Sequence, residues 1–171
     1  MKIIKVDDLT PYLGDLHKVL ITTVADGASI GFLPPVTSDT ARDYWQTVAK
    51  EVKAGARIAL LALDNQSLLG CVQLTLASKE NARHRAEVEK LMVRPEARNA
   101  GIGRALMAAV EDTATQIGRS LIMLDTRTGD IAERLYSRMG YNLAGKVPNF
   151  VLEQDGQLYS TSIFYKDLTQ D

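Results

Sequence analysis

Three carboxylates and one phenol are the side chains of this chain best suited to moving protons. Glu87 and Glu89 sit in the extended run HRAEVEKLMV, Asp125 ends the apolar run LIMLD, and Tyr136 lies in the helix-like stretch ERLYSRMGY. A carboxylate accepts a proton and a phenol donates one, so together they could serve an acid–base reaction. In an open α/β sheet the carboxyl ends of strands line the ligand crevice, which pairs Asp125 with Glu87. By period-two alternation Glu87, Glu89 and Leu91 should share one strand face. His84 stands on the approach to the same strand as a rim residue. His17 falls on a helix with no carboxylate or nucleophile near it in sequence and reads as structural. Cys71, the single cysteine, sits inside GCVQLTLA as a small core residue, so no disulfide framework, nucleophile or metal centre is expected.

A second kind of chemistry is written at residues 94 to 104, RPEARNAGIGR. Gly101 and Gly103 let the backbone curl tightly where a helix begins, and a helix start presents unpaired N–H groups and a positive dipole end. Such a junction suits an anion, most often a phosphate. Neither the P-loop pattern nor the dinucleotide fingerprint fits the spacing.

Elements to hold these groups in place can be read on either side. MKIIKV alternates like a strand, residues 9–27 carry Leu13, Leu16, Val19, Leu20 and Val24 at helical spacing, and residues 38–55 form a second capped helix after a Gly/Pro-rich loop. Residues 56–64, 68–78 and 84–93 read as three consecutive antiparallel strands, the first two joined by DNQS. Ile102, Leu106, Val110, Ala114 and Ile117 trace a helix stripe ending at Gly118. A strand at 121–126 and a helix at 130–140 follow, the latter with an Ile131, Leu135, Met139 stripe. Strands at 141–147 and 158–168 close the chain, joined by the loop PNFVLEQDGQ. The pattern predicts one α/β domain over 1–171, an α+β mixed sheet of about seven mostly antiparallel strands flanked by helices.

Composition narrows the partners. A formal net charge of -1 gives no electrostatic reason to expect nucleic acid or an anionic membrane surface. No apolar run approaches the roughly 20 residues of a membrane span, and the N-terminus has no signal-peptide core, so a soluble, cytoplasmic protein is expected.

Arg98-Asn99-Ala100-Gly101-Ile102-Gly103, five residues after a strand ending Leu91-Met92-Val93, resembles the acyl-CoA motif of the GNAT superfamily of N-acetyltransferases. The resemblance runs the length of the chain. The stretches GASIGF, RAEVEKLMV, LDTRTGDIAERLYS and the C-terminal tail are similar to the tabtoxin-resistance branch of that superfamily. It implies a sheet splayed in its middle for acyl-CoA, and acetyl-CoA as acyl donor without a metal. The backbone from Asn99 to Arg104 would cradle the pyrophosphate, helped by Arg98, and that of Leu91, Met92 and Val93 would pair with the pantetheine arm. Tyr136 would face the sulfur as acid, and Glu87 would act as general base. Phe32 and Phe150, on loops that border the acceptor pocket in that family, and Glu89 become pocket residues. The acceptor implied is a small, cationic amine, attacked directly in a ternary complex. An acyl-CoA-binding module and a peptide N-acetyltransferase are the alternatives. A homodimer is a further implication of the family.

Overall fold

The computed structural model describes residues 1–65 and 67–169. β1 (Lys2–Val6) leads through a single 3-10 turn at Thr10–Tyr12 into α1 (Leu13–Ala25), and α2 (Ser38–Lys53) follows. Pro11, which has no N–H and a fixed φ, suits the tight turn, and α1 starts at Leu13, where the apolar spacing begins, rather than at residue 9. The Thr37 hydroxyl caps α2 by accepting the Thr40 amide at 3.1 Å. β2 (Arg57–Asp64), β3 (Ser67–Leu76) and β4 (Arg85–Val93) come next, then α3 (Ile102–Gln116), β5 (Leu121–Arg127), α4 (Ile131–Arg138), β6 (Asn142–Leu152) and β7 (Leu158–Asp167).

The seven strands form one mixed sheet in the order β1-β2-β3-β4-β5-β7-β6, antiparallel throughout except for β4 with β5. Each face carries its own core. Ile58, Leu60 and Ala62 of β2 point to the layer of α3 and α4, while Ala59, Leu61 and Leu63 point to the layer of α1 and α2. Burial on both sides explains why IALLAL is apolar without alternation. The α3/α4 core takes residues from β2 through β5 and from β7, but the α1/α2 core reaches only as far as Met92 of β4. On that second face, β5, β7 and β6 lie beyond the cover of the helices.

β4 and β5 pair over three positions only, from Arg85 with Leu121 to Glu87 with Met123. Beyond Glu87, β4 stays with β3 up to Val93, and β5 stays with β7 up to Arg127. The two strands therefore splay in the middle of the sheet, as expected.

Three expectations need correction. Two residues of β4, Lys90 and Leu91, stand opposite Val72 of β3, and Lys90 adopts a left-handed φ of 51°. This bulge breaks the alternation. Leu91 and Val93 pack with the α3/α4 core, on the side of Ala86 and Val88, so Leu91 does not share a face with Glu87 and Glu89. Next, the first half of PNFVLEQDGQ is strand: β6 runs on to Leu152, with a register shift between Val147 and Val151 and Asn149 at a φ of 54°. Pro148 is tolerated there because β6 is the edge of the sheet. Finally, α4 inserts Tyr136 into the core, flanked by Ala132, Leu135 and Met139, and leaves Ile131 75% exposed.

Candidate active site

The glycine junction is an array of free donors. No backbone amide from Asn99 to Arg104 reaches a carbonyl among the described residues; the first to do so is Ala105, which donates to Gly101 at 3.0 Å. Asn99 and Gly101 hold left-handed φ values of 62° and 77°, which curl the chain so that these amides converge at the start of α3. A converging set of N–H groups at a positive dipole end fits a pyrophosphate. Arg98 pairs with Asp26 at the end of α1, tethering this loop to the first helix, while Arg104 lies exposed in the first turn of α3.

The splay lies next to this loop. Leu135 of α4 and Leu91 and Val93 of β4 all lie around the place a Gly103 Cβ would occupy, at 3.6 to 4.0 Å. Gly70 of β3 is a close-approach glycine: a Cβ there would stand 2.5 Å from the Met92 carbonyl oxygen. The backbone of Leu91 to Val93 is thus fixed from the β3 side and unpaired on the β5 side. An extended ligand arm can add to such an edge as a strand does.

Glu87 and Asp125 come together on the uncovered face. They line one cleft of about 250 Å³ with Thr75, Arg85, Met123 and Ile163. Thr75, Glu87 and Met123 are successive register partners across the sheet, and Asp125 stands two residues further along β5. Glu87 is exposed at the mouth of the cleft, and partial desolvation there, then the neighbouring Glu89 and Asp125 carboxylates, raise its pKa above its ordinary value. The buried Thr161 hydroxyl shares its proton between Asp125 Oδ2 at 2.8 Å and the Thr126 carbonyl at 2.9 Å, which orients the Asp125 carboxylate.

Glu89 is held differently. It accepts hydrogen bonds from Arg57 at 3.0 Å and Thr75 at 2.8 Å, and Arg57 also contacts Glu51 at 2.7 Å and the Gln73 side-chain oxygen. Tyr44 donates to that same oxygen at 3.0 Å, and Phe32 packs edge-on against Tyr44 with ring centroids 5.2 Å apart. Phe32 therefore borders this polar cluster. Phe150 lies 56% exposed on the edge strand.

Tyr136 is 6% exposed, with its ring about 6 Å from those of Tyr141 and Phe164. Burial, followed by the Asp130 and Asp125 charges, raises its pKa, so the phenol keeps its proton at any working pH. Cys71 is equally inaccessible, and burial pushes its thiol up to about 12.

Arg57, Gln73 and Lys90 escaped the sequence reading as site residues. The only signals were an arginine opening the apolar run of β2, a glutamine inside that of β3, and a lysine between Glu89 and Leu91.

A family model for the GNAT acetyltransferases matches residues 23–141, which is more than half of the chain and includes the glycine junction, both carboxylates and Tyr136. The chain belongs to the GNAT acetyltransferase family. Its donor is accordingly acetyl-CoA. Solved GNAT structures share the fold end to end. A ribosomal-protein-alanine N-acetyltransferase from Brucella melitensis has a TM-score of 0.83 at 19% identity, covering 98% of this chain and 100% of that one. The yncA protein of Salmonella typhimurium, solved with its cofactor acetyl-CoA, gives 0.79 at 16%, with 99% and 95% covered. An N-acetyltransferase from Staphylococcus aureus Mu50 gives 0.75 at 17%, with 98% and 99% covered. No helix among the described residues is long and apolar enough to cross a membrane.

Proposed function

We propose that this acetyltransferase modifies the amine of a small, cationic acceptor by direct attack within a ternary complex. The observation that carries this reading is the pair Glu87 and Asp125 facing one open cleft beside the splay of β4 and β5. Two carboxylates attract an ammonium group, and a carboxyl with a raised pKa is a better proton acceptor than an ordinary one, so Glu87 is the general base. Asp125, oriented by Thr161, holds the amine in place. Tyr136 supplies the proton that the departing thiolate needs. The amides of 99–104 grip the pyrophosphate, and the unpaired edge of Leu91 to Val93 aligns the arm that carries the acetyl group.

Direct transfer is favoured because Cys71, the one thiol of the chain, is buried with a raised pKa and has no access to a donor. A cleft of about 250 Å³ suits a small metabolite better than a peptide. The test is release of free CoA across a panel of small amines and of peptides. Turnover with small cationic amines supports the reading; turnover confined to peptides or to neutral amines overturns it.

A further inference from the structure

Lys90, beside the cleft and within reach of its carboxylates, is a charged side chain that this mechanism leaves without a task. It occupies the bulge of β4, where a left-handed φ of 51° is costly for a residue with a Cβ. Its side chain is half-buried, and its Nζ lies 3.5 Å from where a Gly31 Cβ would stand, under the loop that joins α1 and α2. It forms no ion pair or side-chain hydrogen bond within the described residues. Glu87, Glu89, Asp125 and Arg57 are the charged groups close enough to act on it.

Such placement gives Lys90 the attributes of an acceptor. A primary amine on a flexible stem sits among the same carboxylates that would draw in an external amine, one residue from the Leu91 to Val93 edge. Burial, followed by repulsion from Arg57, lowers its pKa despite the opposing pull of Glu89, Asp125 and Glu87, so more of it is neutral and nucleophilic than of a surface lysine.

We propose that Lys90 is an internal acceptor, acetylated on Nζ by the protein's own bound acetyl-CoA when no external amine fills the cleft. This inference rests on the reading of the Glu87 and Asp125 cleft as the acceptor site. The ammonium first gives one proton to a cleft carboxylate and thence to water. The neutral Nζ then attacks the thioester carbonyl carbon, an N–C amide bond forms and the C–S bond breaks. The second proton of the attacking nitrogen passes to sulfur, so CoA leaves as the free thiol. No oxidant or further reactant enters. The amide so formed bears no charge and fills the place of an acceptor, so the modified fraction loses amine turnover.

The full chain incubated with acetyl-CoA and no amine should acquire one acetyl group at Lys90, located by peptide mass spectrometry. The rate there should exceed that at the exposed Lys18 by about tenfold or more, because a positioned amine reacts as an intramolecular one. An added amine substrate should slow the modification. Ala100→Asp, which places a carboxylate in the pyrophosphate loop, should suppress it at Lys90 and leave Lys18 unaffected. If Lys90 stays unmodified, or is modified equally in Ala100→Asp, the proposal fails. Turnover of small cationic amines with an unmodified Lys90 overturns this inference alone. Acetylation of Lys90 without turnover of any amine overturns the small-acceptor reading instead.

Discussion

Arg57 and Glu89 meet at 3.0 Å across β2 and β4, and this ion pair removes Glu89 from the set of carboxylates free to meet a substrate. Period-two alternation puts Glu89 beside Glu87, but alternation carries no information about a partner two strands away. The free acids of the cleft are therefore Glu87 and Asp125. Removing the cation should show its weight. Arg57→Met leaves Glu51, Glu89 and the Gln73 oxygen without their shared donor and should cost about 3 kcal/mol in denaturant unfolding. Glu89→Gln, which keeps a hydrogen-bond acceptor for Arg57, should cost clearly less. Equal costs would mean that the pair is not what holds β2 to β4 here.

Ala100→Asp should weaken acetyl-CoA binding by about a hundredfold in calorimetry, since a carboxylate among amides meant for a pyrophosphate repels it at short range. The melting temperature should hold or rise, because an acid at a helix start favours the helix dipole. Unchanged affinity would make the junction a structural turn.

Glu87 should leave its mark on two pH profiles. As general base it works deprotonated, and its raised pKa moves the acid limb of kcat/KM upward from where an unperturbed carboxylate would place it. Glu87→Gln should remove that limb and lower the rate about 100-fold. The stability effect has the opposite sign. A carboxyl that holds its proton more tightly when folded than unfolded stabilises the fold at low pH and loses that contribution as pH rises through its folded pKa. Glu87→Gln should therefore raise the melting temperature at neutral pH. A variant that kept wild-type kinetics would return Glu87 to the surface.

Tyr136→Phe should lower kcat with little change in acetyl-CoA affinity, because the hydroxyl is needed only as charge develops on sulfur. The ring contacts with Tyr141 and Phe164 remain, so thermal unfolding should move little. Unchanged turnover in a regime limited by chemistry would leave Tyr136 with packing as its sole duty.

Gly70→Ala should destabilise the protein by about 2 kcal/mol, since its methyl would stand 2.5 Å from the Met92 carbonyl oxygen. Acetyl-CoA affinity should fall with it, because Met92 and Val93 belong to the edge that receives the pantetheine arm. Wild-type stability by thermal melting would contradict the close approach of β3 and β4.

The elements were legible because their signals are local. Apolar spacing marks α3, a continuous apolar run marks β2, and Asp155-Gly156 marks the last turn, where the Gly156 amide donates to the Glu153 carbonyl at 2.9 Å. The glycine junction was legible for the same reason. Side-chain placement was less so. Leu91 was assigned to the wrong layer because one left-handed residue shifts the alternation. PNFVLEQDGQ reads as a loop because nothing local says that β6 is an edge, where Pro148 is tolerated. Lys90, Arg57 and Gln73 meet only after β2, β3 and β4 are laid side by side.

The bulge at Lys90 sets a limit on how this domain can be recombined. Residues 85–89 and 91–93 of β4 follow opposite parity: even-numbered Ala86 and Val88 face the same layer as odd-numbered Leu91 and Val93. Were Lys90 kept but drawn into the regular alternation, the side chains beyond it would exchange faces, driving Met92 out of the α1/α2 core and Val93 away from the α3/α4 core. Deleting Lys90 would instead remove the bulge and set Leu91 opposite Val72, with Met92 and Val93 kept in their present layers. Crossover points for domain shuffling therefore belong outside β4, so that the bulge and the strand around it travel together.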